Sequence, residues 1–262
     1  MSRKPRWKKI TNDKGAATYE LSSWKYFSDY INQELLEHKS YVFRGHADSN
    51  WKLEPTLDRF VDSSTSPKRE AILEQFKFET RGRRGSHPPL MESENDWWAL
   101  GQHHGLCTPL LDWSESPFVA LYFAASAAFK SKSKSMSIFA FFQGSAEVFN
   151  KAIRDDKDVA LINKHKPTVK VIRPLSDENS RLVSQRGLFT RAPNNMDLES
   201  WVKKYNTYKG GEMTIIKIVI PTKDIEKCLK YLNRMNINHS TLFPDLTGAS
   251  EYCNKLLSID GY

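Results

Sequence analysis

Residues 116–142 read SPFVALYFAASAAFKSKSKSMSIFAFF. Ser116 is a preferred N-cap residue and Pro117 suits the first helical position, so a helix is predicted to follow, over FVALYFAASAAF. That helix is apolar on all sides, which predicts burial. Its alanine-rich end permits close packing. KSKSKS (130–135) reads as a polar loop, and MSIFAFF (136–142) as a strand.

Working outward, SYVFRG (40–45), PTVKVI (167–172) and EMTIIKIVI (212–220) read as further strands. Helices are predicted in WKYFSDYINQELL (24–36) behind Ser22-Ser23, in KREAILEQFKFE (68–79) with Ser66 as cap and Pro67 at the first position, and in ENDWWALGQHHG (94–105), closed by Gly105. Another helix follows Thr222 in KDIEKCLKYLNRM, with Asp224 in its first turn. HSTLFPDLTGASEYCNKLL (239–257) reads as a strand end, a proline-containing turn and a last helix, with Asp245 and Thr247 in the capping turn. Strands and helices mix without regular alternation. This favours an α+β fold, a single domain with a mixed or antiparallel sheet flanked by helices. Residues 1–20 are expected to be a basic N-terminal arm, poorly ordered over 1–16, and 21–262 the folded domain.

The chain of 262 residues carries a formal charge of +8, which attracts polyanions such as nucleic acid or phosphorylated nucleotides without selecting among them. Cys107, Cys228 and Cys253 are far apart, so neither a disulfide framework nor a CxxC metal site is expected. No HExxH spacing occurs. MSRKPRWKK lacks the apolar core of a signal peptide, and the longest apolar stretch, 118–129, is too short to cross a bilayer. The expected location is the cytoplasm, away from membranes.

Four segments combine polar side chains with special backbone residues. In YVFRGHADSNWKLEPTLDR (41–59), a strand ending at Gly45 puts Arg44 at the sheet edge, suited to a phosphate or to a structural pairing with a buried carboxylate. Trp51 and Leu53 read as core. In GQHHGLCTPLLDWSESPFVALYFA (101–124), His103 and His104 point in different directions, so at most one faces a given site. Asp112 suits either a helix cap or an orienting role, and Thr108 and Ser114 offer hydroxyls. In NSRLVSQRGLFTRAP (179–193), Asn179 precedes Arg181 and Gln185, which share a helical face, and Gly187 permits close backbone approach. The fourth is TLFPDLTGASEY (241–252). Separately, RGRRGSHPP (81–89) places Arg81, Arg83 and Arg84 in a loop that is either solvated or phosphate-contacting.

In family order, these four segments resemble the FRG domain, named for Phe-Arg-Gly, here Phe43-Arg44-Gly45. The second is similar to the family's stretch at His104-Gly105, Thr108, Leu110-Leu111-Asp112-Trp113 and Ala120 to Ala124. The third matches at Arg181, Gln185, Gly187 and Phe189, and the fourth at 242–248. The likeness covers roughly 25–255. Pro109 stands where many members carry Arg.

A more remote resemblance is to the ADP-ribosyltransferase superfamily. It implies an enzyme using NAD, with Arg44 gripping the pyrophosphate beside Gly45 and Arg181. A hydroxyl or histidine of the second segment (Thr108, Ser114 or His104) would hold the nicotinamide ribose. The catalytic set so implied is Arg44, His104, Asp112 and Gln185. Gln185 stands where that superfamily commonly carries Glu, and Asp112, Glu115 and Glu251 are the carboxylates available instead. The expected role is that of a toxin or phage-defence effector acting on a macromolecular target, a protein among the possibilities. Two other readings stay open: a non-catalytic module binding nucleic acid or a nucleotide signal through Arg81, Arg83 and Arg84, and a metal-dependent hydrolase or nuclease built on Asp112 and a histidine.

Overall fold

The run Ser135–Phe142 is apolar on both faces, and a strand of that composition needs cover on both sides. A computed structural model, describing residues 5–174, 180–206 and 213–262, places it at the centre of one mixed sheet. The strands are β1 (Trp7–Asp13), β2 (Ala16–Leu21), β3 (Tyr41–His46), β4 (Leu111–Ser114), β5 (Ser135–Phe142), β6 (Lys170–Ile172), β7 (Gly187–Arg191) and β8 (Ile215–Pro221). Among the described residues their order is β1-β2-β8-β5-β3-β4-β7-β6. All neighbours are antiparallel except β2 and β8. The fold is therefore α+β with an open mixed sheet.

The helices are α1 (Phe27–Tyr30), α2 (Thr56–Phe60), α3 (Lys68–Glu79), α4 (Glu94–His103), α5 (Pro117–Ser131), α6 (Gln143–Asp155), α7 (Ser180–Gln185), α8 (Leu198–Tyr205), α9 (Ile225–Arg234), α10 (His239–Leu242) and α11 (Leu246–Ser258). Successive side chains of β5 point to opposite faces. Ile138 and Ala140 pack with α5 and α9 on one side, and Phe139 and Phe141 with α6 and α8 on the other. A third cluster joins α2, α3 and α4 to Leu110 and Phe189 near the β7 end of the sheet. α5 begins as its sequence dictates: Ser116 Oγ accepts the Val119 N–H and Pro117 takes the first position.

Three expectations need correction. The segment expected to be a poorly ordered arm instead forms the β1–β2 hairpin, and β2 pairs with β8. Lys14 and Gly15 both have positive φ (45° and 79°), which suits a two-residue hairpin turn whose twist matches the strands. Lysines keep β1 exposed as an edge strand, and Lys8 pairs across the hairpin with Glu20 at 3.0 Å. Second, His239 to Leu242 is a helical turn rather than a strand end, because Asn238 and Thr241 cap each other reciprocally. Third, Asp112 lies within β4 and does not cap α5.

Candidate functional site

β3 and β4 are hydrogen-bonded neighbours only at Phe43 and Ser114; beyond that pair the strands part. The side chain of Arg44 crosses the gap. Its Nη1 donates to the backbone oxygen of Asp112 at 2.8 Å and to Asp112 Oδ2 at 3.2 Å, while its Nε donates to His46 Nε2 at 3.0 Å. The guanidinium thus replaces the missing ladder bonds. Its Nη2 has no hydrogen-bond partner among the described residues.

The next residue has to be glycine. A Cβ on Gly45 would overlap the Ala120 carbonyl oxygen and lie 2.7 Å from Ala124 N, both backbone atoms of α5. Close packing of β3 on α5 therefore accounts for the Phe-Arg-Gly spelling. His46, buried against Phe139, has its pKa pushed down to about 3, first by burial and then by the Arg44 charge. The neutral ring accepts from Arg44 at Nε2.

A hydrogen-bond relay fixes Asp112 from the α4 side. The Thr108 hydroxyl accepts the Leu110 N–H at 3.2 Å, so its own hydrogen is directed to Gln102 Oε1. The amide of Gln102 is thereby oriented, and Nε2 donates to Asp112 Oδ2 at 2.8 Å. Oδ2 accepts from both Gln102 and Arg44, whereas Oδ1 has no hydrogen-bond partner among the described residues.

The third segment closes the site. Ser114 Oγ donates to the Gln185 backbone oxygen at 2.7 Å and accepts from Ser116 N, fixing the end of α7 against β4. The Gln185 amide donates to Leu242 O at 3.0 Å. Arg181 donates to Asp245 Oδ2 through Nε (2.9 Å) and Nη2 (2.5 Å), with Phe243 beneath it. Asp245 also caps α11 by accepting the Gly248 N–H, and these contacts hold its carboxyl below the usual carboxylate range. The fourth segment thus braces the third.

Together these residues line a cavity of about 460 Å3, within the ordinary range for small-molecule sites. Arg44, Gly45, Asp112, Ser114, Arg181 and Gln185 all border it. Its charged lining is three arginines, Arg44, Arg59 and Arg181, against a single carboxylate, Asp112, among the described residues. Other expected residues fall elsewhere. His104 is exposed, and it is His103 that reaches the cavity. Thr108 is fully buried and acts only through Gln102. Glu115 pairs with Arg173 and Glu251 with Lys130, and neither borders the cavity. Arg81, Arg83 and Arg84 border no cavity described here; Arg81 lies over Phe78 and Arg84 over Trp97. Asn179 lies outside the described residues. Leu53 is core as expected, but Trp51 is 48% exposed at the cavity. Gln102 was not anticipated.

A larger cavity of about 830 Å3, between α3, α4 and β6, contains none of the expected catalytic residues. Its lining charges include the pairs Lys77–Glu74 and Arg191–Glu94. Among the described residues no three His, Cys, Asp or Glu side chains cluster to hold a metal ion, so the metal-hydrolase reading finds no ligand set there. No helix among them is long and apolar enough to cross a membrane.

Residues 39–133 match the family model of the FRG domain. The chain therefore carries an FRG domain over this stretch, which includes β3, α4, β4 and α5 and hence the first two cavity-forming segments. The third and fourth segments lie beyond the match. No curated protein and no solved structure matches the chain.

Proposed function

We propose that the 460 Å3 cavity accepts NAD and that the chain is an ADP-ribosyltransferase-like enzyme. One observation carries this reading: Arg44 of β3, Asp112 of β4, and Arg181 and Gln185 of α7 border a single cavity whose charged lining, among the described residues, is three arginines and one carboxylate. NAD would supply an ADP-ribosyl group, transferred as its bond to nicotinamide breaks. Arg44 is held on two sides, by His46 and Asp112, and keeps Nη2 for a phosphate oxygen. Arg181 is the second cation for the pyrophosphate. Asp112 takes the part the superfamily commonly gives to Glu. Its Oδ1, unpartnered among the described residues, supplies negative charge to an oxocarbenium-like transition state, in a preorganised position. Gln185 has its Nε2 engaged by Leu242 O, which leaves Oε1 to accept from a ribose hydroxyl.

The test is nicotinamide release from NAD by purified protein, with and without a cell extract as acceptor. Asp112→Asn removes charge at nearly constant shape and should lower the rate about 100-fold or more. A full rate in Asp112→Asn would assign the chemistry to another group.

A further inference from the structure

Trp51 occupies an unusual position. It follows β3 by five residues, and half of its surface is open although it is the largest side-chain type available for a core. The backbone that carries it is fixed. Asp48 Oδ1 accepts the Asn50 N–H at 2.8 Å, and Asp48 O accepts the Trp51 N–H at 3.2 Å. Ser49 is tied to the start of β5 by its N–H to Ser135 O and by its hydroxyl to Ser135 Oγ at 2.7 Å. The backbone thus carries the indole to the border of the cavity, with about half of its surface left open. Its only ring neighbour among the described residues is buried His46, 6.2 Å away between centroids. Thr56 and Arg59 border the same cavity, and Arg59 donates from Nη2 to Glu54 O, which anchors its guanidinium.

We propose that Trp51 is the stacking platform for an aromatic base of a nucleotide bound in this cavity, with Arg59 beside it for a phosphate. The inference rests on the reading of the cavity as a nucleotide site and adds the element that recognises the base. A half-open indole has only two side-chain torsions to order on binding, and a base has an aromatic face that can cover the exposed one. Adenine and nicotinamide share that chemistry, and mononucleotides carrying each separate them.

The experiment compares wild type, Trp51→Ala and Trp51→Phe, each checked for intact fold by circular dichroism. Inorganic pyrophosphate, AMP and nicotinamide mononucleotide are titrated by calorimetry and by tryptophan fluorescence. Trp51→Ala should weaken one of the two mononucleotides roughly tenfold to hundredfold, and Trp51→Phe should restore most of that loss. Pyrophosphate, having no base, should bind all three proteins alike, and the favoured mononucleotide should quench a fluorescence component absent from Trp51→Ala. If Trp51→Ala binds both mononucleotides as tightly as wild type, the platform is wrong while the nucleotide site stands. If wild type binds pyrophosphate no less tightly than either mononucleotide, the cavity is an anion site without base recognition. If wild type binds none of the three, the nucleotide reading fails and the platform with it.

Discussion

Replacing Thr108 with valine tests the relay that orients Asp112. Valine keeps the volume and removes the hydroxyl, deleting an acceptor for the Leu110 N–H and a donor to Gln102 Oε1. Thr108 is fully buried, so water cannot substitute at that position. A stranded buried N–H costs about 1–3 kcal/mol and a lost net hydrogen bond about 1 kcal/mol more, giving a destabilisation of roughly 2–4 kcal/mol. For a chain of this size that lowers Tm by roughly 4–8 °C. Thr108→Ser keeps both hydrogen bonds and should lose at most about 1.5 kcal/mol for the missing methyl. Urea unfolding of the three proteins gives the comparison. The relay has a second readout. With Gln102 released, Asp112 loses its 2.8 Å donor, so NAD turnover should fall in Thr108→Val and be largely retained in Thr108→Ser. A valine variant within roughly 0.5 kcal/mol of wild type, the ordinary range for an inconsequential site, would refute the hydrogen-bond assignment.

Three further outcomes follow from the packing and the electrostatics. Gly45→Ala should cost about 3 kcal/mol or more, because the clash is with backbone on a buried helix; an unchanged melting temperature would mean that β3 and α5 have slack between them. Asp58→Ala leaves Arg69, 2.7 Å from it and nearly buried, without its carboxylate and should cost about 3–5 kcal/mol, against about 0–1 kcal/mol for Glu20→Ala at the exposed Lys8 pair; equal losses in denaturant titrations would contradict the burial argument. His46 is held neutral when folded and titrates near 6.5 when unfolded, so its contribution is complete above that pH and declines as pH falls toward about 3. The loss at pH 5 is roughly 2 kcal/mol, and a His46→Gln variant should lack that share of the acid sensitivity.

The parts of the fold legible in sequence were those with strong local signals. Ser116-Pro117 and the apolar run behind it fixed α5, and MSIFAFF announced the central strand. β1 escaped because an edge strand guarded by lysines has the composition of a solvated tail; the positive-φ turn at Lys14-Gly15 was the available clue. β4 is four residues long, too short for alternation to show, so Asp112 suited a helix cap as well as an orienting role. The site followed the same division. Arg44, Asp112, Arg181 and Gln185 stood out as residue types next to special backbone positions, and the fold brings them to one cavity. Which of His103 and His104 faces it depends on how the end of α4 is rotated, a tertiary property. Gln102 belongs to the same short segment, but its role depends on Thr108 folding back beneath it. The exposure of Trp51 depends on the path of the chain after β3, and no local pattern encodes that.

Calorimetric titration of NAD into wild type and into Arg44→Ala, with circular dichroism confirming that both are folded, addresses the proposed nucleotide site itself. Wild type should bind saturably, and loss of the charge-assisted contact should weaken binding at least about tenfold. Equal affinity in the two proteins, or no heat from wild type, would contradict the proposal that Arg44 presents its guanidinium to a diphosphate.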